Sequence, residues 1–307
     1  MINFNNGTLR VQGKWLYPNG TIPKVDLPPY TMLIEYLPGV TPWNGSDDQR
    51  FLYGTARQVS VTPNIWEWHY ENSSWSGCVP ISLIRDEHVY QDIGLDVNYA
   101  GQMIAIHAAN LTGVYDITHL AHNCPWFYYC AEIDTHHVMY FDTIFHGDIN
   151  LTRVPNFDLS NARQIGAAFD NCRSLVDVPK LNIQDVYYPL GPTETNYVSL
   201  FNNCTSLTQV PNLDYSHATS AWSMFEGCTG LTKINHIHLP IVGACGLMFK
   251  DCVNVESGAL KLYQELSTLG MQTNAYYDCF KNCGINTPTG LAELQQIPQS
   301  WGGLAAG

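Results

Sequence analysis

Phe201-Asn202-Asn203-Cys204-Thr205-Ser206-Leu207-Thr208-Gln209-Val210 is followed 24 residues later by Phe225-Glu226-Gly227-Cys228-Thr229-Gly230-Leu231-Thr232-Lys233-Ile234. An earlier copy, Phe169-Asp170-Asn171-Cys172-Arg173-Ser174-Leu175-Val176-Asp177-Val178, has the same Phe-x-x-Cys-x-x-Leu-x-x-Val wording. Phe249 and Cys252 continue the beat 24 residues beyond Phe225 and Cys228. In the other direction, Phe145, Leu151 and Val154 precede Phe169, Leu175 and Val178 by 24 residues, with Asp148 in the cysteine slot and Cys124 one period earlier. The steps from Cys172 to Cys204 and from Cys252 to Cys283 are longer, which reads as insertions of about eight and about seven residues.

A period of 24 residues is shorter than the two-helix repeats of roughly 33 to 47 and falls within the leucine-rich-repeat range of roughly 20 to 29. The fold class expected from it is α+β: a small N-terminal β-domain (residues 1–95), a leucine-rich-repeat solenoid with a 24-residue period (96–290), and a C-terminal cap and tail (291–307). Phe145, Phe169, Phe201, Phe225, Phe249 and Phe280 should form one inward row, and Cys172, Cys204, Cys228, Cys252 and Cys283 another. A small apolar thiol suits such a row, so these cysteines are expected as buried thiols; Cys78, Cys130, Cys245 and Cys279 lie off the beat, where a disulfide is better placed. Each Leu-x-x-Val-Pro should give a short strand pairing in parallel with the next, about 4.8 Å away. Leu291, Leu294, Ile297 and Trp301 read as the lid over the last layer.

The stretches Ala168-Phe169-Asp170-Asn171-Cys172-Arg173-Ser174-Leu175 and Met224-Phe225-Glu226-Gly227-Cys228-Thr229-Gly230-Leu231 resemble the BspA-type leucine-rich repeat of bacterial surface proteins. The resemblance covers roughly residues 110 to 290. It implies binding and adhesion rather than one particular reaction.

Before the repeats, Leu9–Gln12, Thr31–Tyr36, Gln58–Val61 and Ile65–Tyr70 read as strands, separated by Pro28-Pro29, Pro38-Gly39 and the polar run from Asn44 to Asp48. Trp43, Trp66, Trp68 and Trp75 give this part an aromatic character that core packing explains better than a sugar platform. Hydrophobic residues make up 45% of the 307-residue chain, enough for a continuous core. With 27 acidic against 14 basic residues the formal charge is −13, which argues against nucleic acid and anionic membranes as partners. The first residues lack a basic segment followed by an apolar one, and no apolar stretch is long enough to span a bilayer.

These features lead to the expectation of a non-enzymatic binding and structural protein of a bacteriophage virion: a tail or head fibre, decoration or receptor-binding protein. It would reach the outside without a leader, contact other virion proteins through its N-terminal domain, and meet a host-surface glycan or protein through the repeats or their insertions. A homo-oligomer is compatible with this. The alternatives are a secreted or surface adhesin of a bacterium and, more weakly, a carbohydrate-active enzyme.

Arg153, Asp177, Gln209 and Lys233 occupy equivalent outward slots and form the first candidate partner surface. The insertions supply the second, through Tyr187, Tyr188 and Tyr197 in one and Tyr263, Tyr276 and Tyr277 in the other, because tyrosine offers amphipathic contact area at small entropic cost. No catalytic, cofactor or metal residue is assigned. His119, His122, Cys124, Cys130, Asp134, His136 and His137 are close in sequence but lack zinc-ligand spacing, and Cys130 with His137 has no nucleophile-elbow or oxyanion signature. No phosphate-binding loop or dinucleotide fingerprint occurs.

Overall fold

The computed structural model describes residues 10–11, 14–15, 27–29, 31–40, 55–69, 103–112, 114, 117–118, 120–162, 165–179, 181 and 197–306. Tyr187, Tyr188, Trp43, Trp75, Cys78 and His119 lie outside them.

Extended structure begins with a two-residue pair, β1 (Arg10–Val11) against β2 (Lys14–Trp15). The main sheet has five strands: β3 (Thr31–Tyr36), β4 (Thr55–Ser60), β5 (Asn64–His69), β6 (Met103–Asn110) and β7 (Tyr129–Cys130), in the order β4-β5-β3-β6-β7. Its first four strands pair antiparallel, and β7 joins β6 in parallel. Alternation explains one face of β3: Met32, Ile34 and Tyr36 enter the core with Met103 and Ile106. On the other face sits Glu35, buried against His107 with Oε2 and Nε2 2.7 Å apart. The register shifts between Leu33 and Ile34, whose partners are Ala108 and Ile106, making His107 the extra residue of a bulge. Bulges re-aim side chains, and this one turns an imidazole toward a carboxylate that would otherwise be costly to bury.

The expected leucine-rich-repeat solenoid is overturned. Among the described residues the regular structure is a mixed five-stranded sheet with two short helices, α1 (Ala259–Leu266) and α2 (Pro288–Leu294), and a 3-10 turn at Gln299–Trp301. The sheet takes strands from both sides of residue 95, and in place of a strand per repeat there are isolated bridges, such as Arg153↔Asp177 and Gln209↔Lys233. The physical reason lies in the backbone of the repeat. Two residues before each phenylalanine φ is positive, at Ala167 (50°), Ser199 (53°), Ser223 (52°) and Leu247 (60°). Two residues after it φ is positive again, at Asn171 (60°), Asn203 (55°), Gly227 (71°) and Asp251 (61°). Left-handed residues four apart break any extended run, so each copy is built of turns. That also explains the wording of the motif, since Asn, Asp and Gly tolerate this conformation best.

Successive copies nevertheless lie against one another in register. The Phe169, Phe201, Phe225 and Phe249 amides donate to the carbonyls of Leu200, Met224, Met248 and Cys279 at 2.8–3.0 Å. The Phe169–Phe201, Phe201–Phe225 and Phe225–Phe249 rings stack at 5.4, 5.5 and 5.2 Å. Cys172, Cys204, Cys228 and Cys252 are fully buried, and each thiol donates to the carbonyl of the preceding copy's phenylalanine at 3.0–3.1 Å. After Phe280, Trp301 takes the next place: its carbonyl accepts the Phe280 amide at 2.8 Å and its ring stacks on Tyr276 at 4.1 Å. Leu294 and Ile297 are buried beside it, while Leu291 is half-buried.

Candidate functional site

Within each copy, the residues at the cysteine slot and three and six positions later point inward, as Cys204, Leu207 and Val210 do. The residues four and five positions after the cysteine are left outside. Arg153, Asp177, Gln209 and Lys233 all fall in the latter slot and all are exposed. The structure brings them together in two pairs. Arg153 and Asp177 bridge in parallel, and both Nε and Nη2 of the guanidinium reach Asp177 Oδ2, at 3.2 and 2.6 Å. Gln209 bridges Lys233, which bridges Ser257. An exposed ion pair such as Arg153–Asp177 adds little stability, about 0 to 1 kcal/mol, but it neutralises that part of the row.

The tyrosines of the insertions separate. Tyr197 is fully buried, 6.0 Å from Tyr215 by ring centroids, with its hydroxyl donating to the Asp214 carbonyl. It is a core residue, which corrects the expectation of a partner surface: Tyr197 stands four positions before Phe201, in the slot that Ala221 fills as a buried residue in the next copy. Tyr263 meets Trp301 edge-on at 5.4 Å and Tyr276 stacks on it, so both are half-buried against the end of the molecule. Tyr277 remains exposed.

Counting back one period from the outward row reveals residues that reading the repeat from Phe145 onward missed. Asn150, Thr152 and Arg153 stand 24 residues after Trp126, Tyr128 and Tyr129. The first copy therefore carries three aromatic rings where the next carries an amide, a hydroxyl and a charge. Phe127, after Trp126, and Cys130, after Tyr129, are buried. Trp126 is 55% exposed, and Tyr128 and Tyr129 are half-buried, their rings 6.4 Å apart. Tyr129 belongs to β7, and its ring stands 6.2 Å from that of His107, the partner of Glu35. Burial, then Cys130 and Glu132, push the Tyr129 phenol up to about 12; burial and the Glu35 carboxylate raise that of Tyr128. Both keep their O–H at neutral pH.

Elsewhere the reactive side chains are used internally. Burial raises the thiol pKa of Cys130, Cys172, Cys204, Cys228, Cys252, Cys279 and Cys283, the opposite of what a nucleophile requires. His136 Nδ1 lies 2.6 Å from Asp134 Oδ1, a contact that lowers the Asp134 carboxyl pKa. His122 and His146 stack at 4.6 Å, and His146 Nε2 is 3.3 Å from Asp170. Among the described residues no three His, Cys, Asp or Glu side chains converge as metal ligands, and no helix is long and apolar enough to cross a membrane.

No family model matches the chain, and no curated protein or solved structure does either.

Proposed function

We propose that this chain is a non-enzymatic binding protein that presents its repeat array to a large partner. The observation that carries this reading is the exposed row Arg153, Asp177, Gln209, Lys233 and Ser257, in which backbone bridges tie Arg153 to Asp177 and, separately, Gln209 to Lys233 and Lys233 to Ser257. Such a surface loses little entropy when a partner lies along it, and that favours binding. The raised thiol pKa values support the same reading, because they leave the buried cysteines inert. The adhesive role is the one implied by the wording of the repeat, and the assembly we propose for it is a bacteriophage virion attaching to a host-surface glycan or protein.

Binding of the purified chain to whole bacterial cells tests the adhesive role. Saturable binding that is weakened in a Gln209→Glu, Lys233→Glu double variant is expected. Binding that is absent, or indifferent to these changes, removes the row from the reading. Association with intact virus particles at a fixed copy number tests the virion assignment separately.

A further inference from the structure

We infer that the aromatic head of the outward face, Trp126 with Tyr128 and Tyr129, is a subsite for a neutral glycan whose chain continues along the polar row of the later copies. The inference rests on the binding reading above and deepens it by assigning the ligand class and its anchor.

Trp126 is the primary observation. A tryptophan 55% exposed beside a large buried core leaves apolar surface in water that Phe127, its neighbour in sequence, hides completely. Its slot in the later copies holds Asn150, Ser174, Ser206, Gly230 and Asn254, so packing of the repeat does not require an aromatic there. Tyr128 and Tyr129, two and three residues further on, add two half-buried rings 6.4 Å apart, the second 6.2 Å from the His107 ring of β6. Rigid rings with protonated phenols are suited to the alternating apolar faces and hydroxyl edges of a pyranose: the ring face stacks on C–H groups and the O–H groups exchange hydrogen bonds.

The surroundings choose between ligand classes. The same slots of the later copies hold Asn150, Thr152, Ser174, Ser206, Thr208 and Gln209, which offer amides and hydroxyls, along with the exposed Val176, Lys233 and Glu256; Arg153 and Asp177 are closed on each other. The chain as a whole carries a charge of −13, so a polyanionic glycan is repelled at long range. Pro125 and the exposed Ile149 widen the apolar margin of the head, and a protein partner is the competing occupant.

The experiment uses the full chain on an array of neutral oligosaccharides (hexaoses of glucose, mannose, galactose and N-acetylglucosamine) with heparin and polysialic acid fragments as charged counterparts. Neutral ligands are expected to bind and charged ones not. Trp126→Ala should weaken a neutral hit by about tenfold or more, as for a buried aromatic anchor, while Trp126→Phe retains part of the affinity. Trp126 is exposed, so unchanged thermal melting of both variants is expected and shows that the loss is local. Neutral binding that ignores Trp126→Ala overturns the subsite but leaves the binding reading intact. Binding to cells that survives removal of surface glycans and is lost after protease treatment overturns the glycan class and leaves a protein-binding chain. Release of reducing sugar from a bound hexaose overturns the non-enzymatic reading itself.

Discussion

Asp148 occupies the slot where Cys172, Cys204, Cys228 and Cys252 stand, and it is fully buried. One carboxyl oxygen accepts the Cys124 amide at 2.8 Å, and the other has no hydrogen-bond partner. Desolvation therefore raises its pKa well above the ordinary 3.8. The native carboxyl holds its proton where the unfolded chain has released it, so its contribution is full below about pH 3.8 and is lost as pH rises toward the native value. Denaturant melts of the wild type should show stability falling with pH above about 4, relative to Asp148→Asn. Asp148→Cys restores the repeat and should stabilise by about 1–3 kcal/mol at neutral pH by removing a buried group that is half satisfied. A pH-independent difference between wild type and Asp148→Asn would show the carboxyl to be solvated. The substitution was visible in the sequence as a break in the beat. Its burial was implied by the slot, but the orphaned oxygen was not, because that depends on what Cys124 and its neighbours leave in reach.

At the scale of the element, the asparagine-cysteine pair was legible as a repeat mark and illegible as backbone geometry. The identity of Asn171, Asn203 and Gly227 signals a left-handed φ, yet Ala167, Ser199, Ser223 and Leu247 adopt one without any such signal. Their conformation is imposed by amides at alternate positions reaching the next copy, as Ser199, Phe201 and Asn203 reach Trp222, Met224 and Glu226. That long-range constraint is why a strand was expected where turns occur. The strands of the sheet were easier, since β3 matches the run read as extended from Thr31 to Tyr36. Gly227 joins both constraints: its φ is 71°, and a Cβ there would stand 2.3 Å from Asn203 Oδ1. Gly227→Ala should cost about 1–2 kcal/mol from the left-handed backbone alone, and more with the contact. Asn203→Gly in the same chain removes the contact, so a double-mutant cycle should give a non-additive gain; strict additivity would place Asn203 elsewhere.

For the molecule as a whole, one hydrophobic core runs from Met32 in the sheet to Trp301 at the far end. The sequence showed the repeats and the terminal apolar cluster, but it did not show that β6 and β7 carry the sheet past residue 95 into the first copy. Pairing between β3 and β6 joins segments about seventy residues apart, which no local pattern announces. The aromatic head was missed for a related reason: the outward row was read from Arg153 onward, and Tyr129 one period earlier belongs to a strand of the sheet. The buried thiols give a global test. The nine described cysteines are buried and should react only slowly with Ellman's reagent in the native protein, whereas guanidinium should expose them all. Rapid native modification of several would show an open core. Trp301→Ala should cost about 3–5 kcal/mol, by uncovering Phe280 and Tyr276 together. The way Trp301 receives the Phe280 amide has a consequence for how such a chain can change its length. That bond joins backbone groups, as do those between successive copies, so duplicating residues 201–224 as a block leaves both termini of the array with their present neighbours. A chain lengthened by one whole period should fold and melt no lower than its parent, whereas one lengthened by half a period should not; growth by duplication is open to this molecule, and growth by small insertion is confined to its loops.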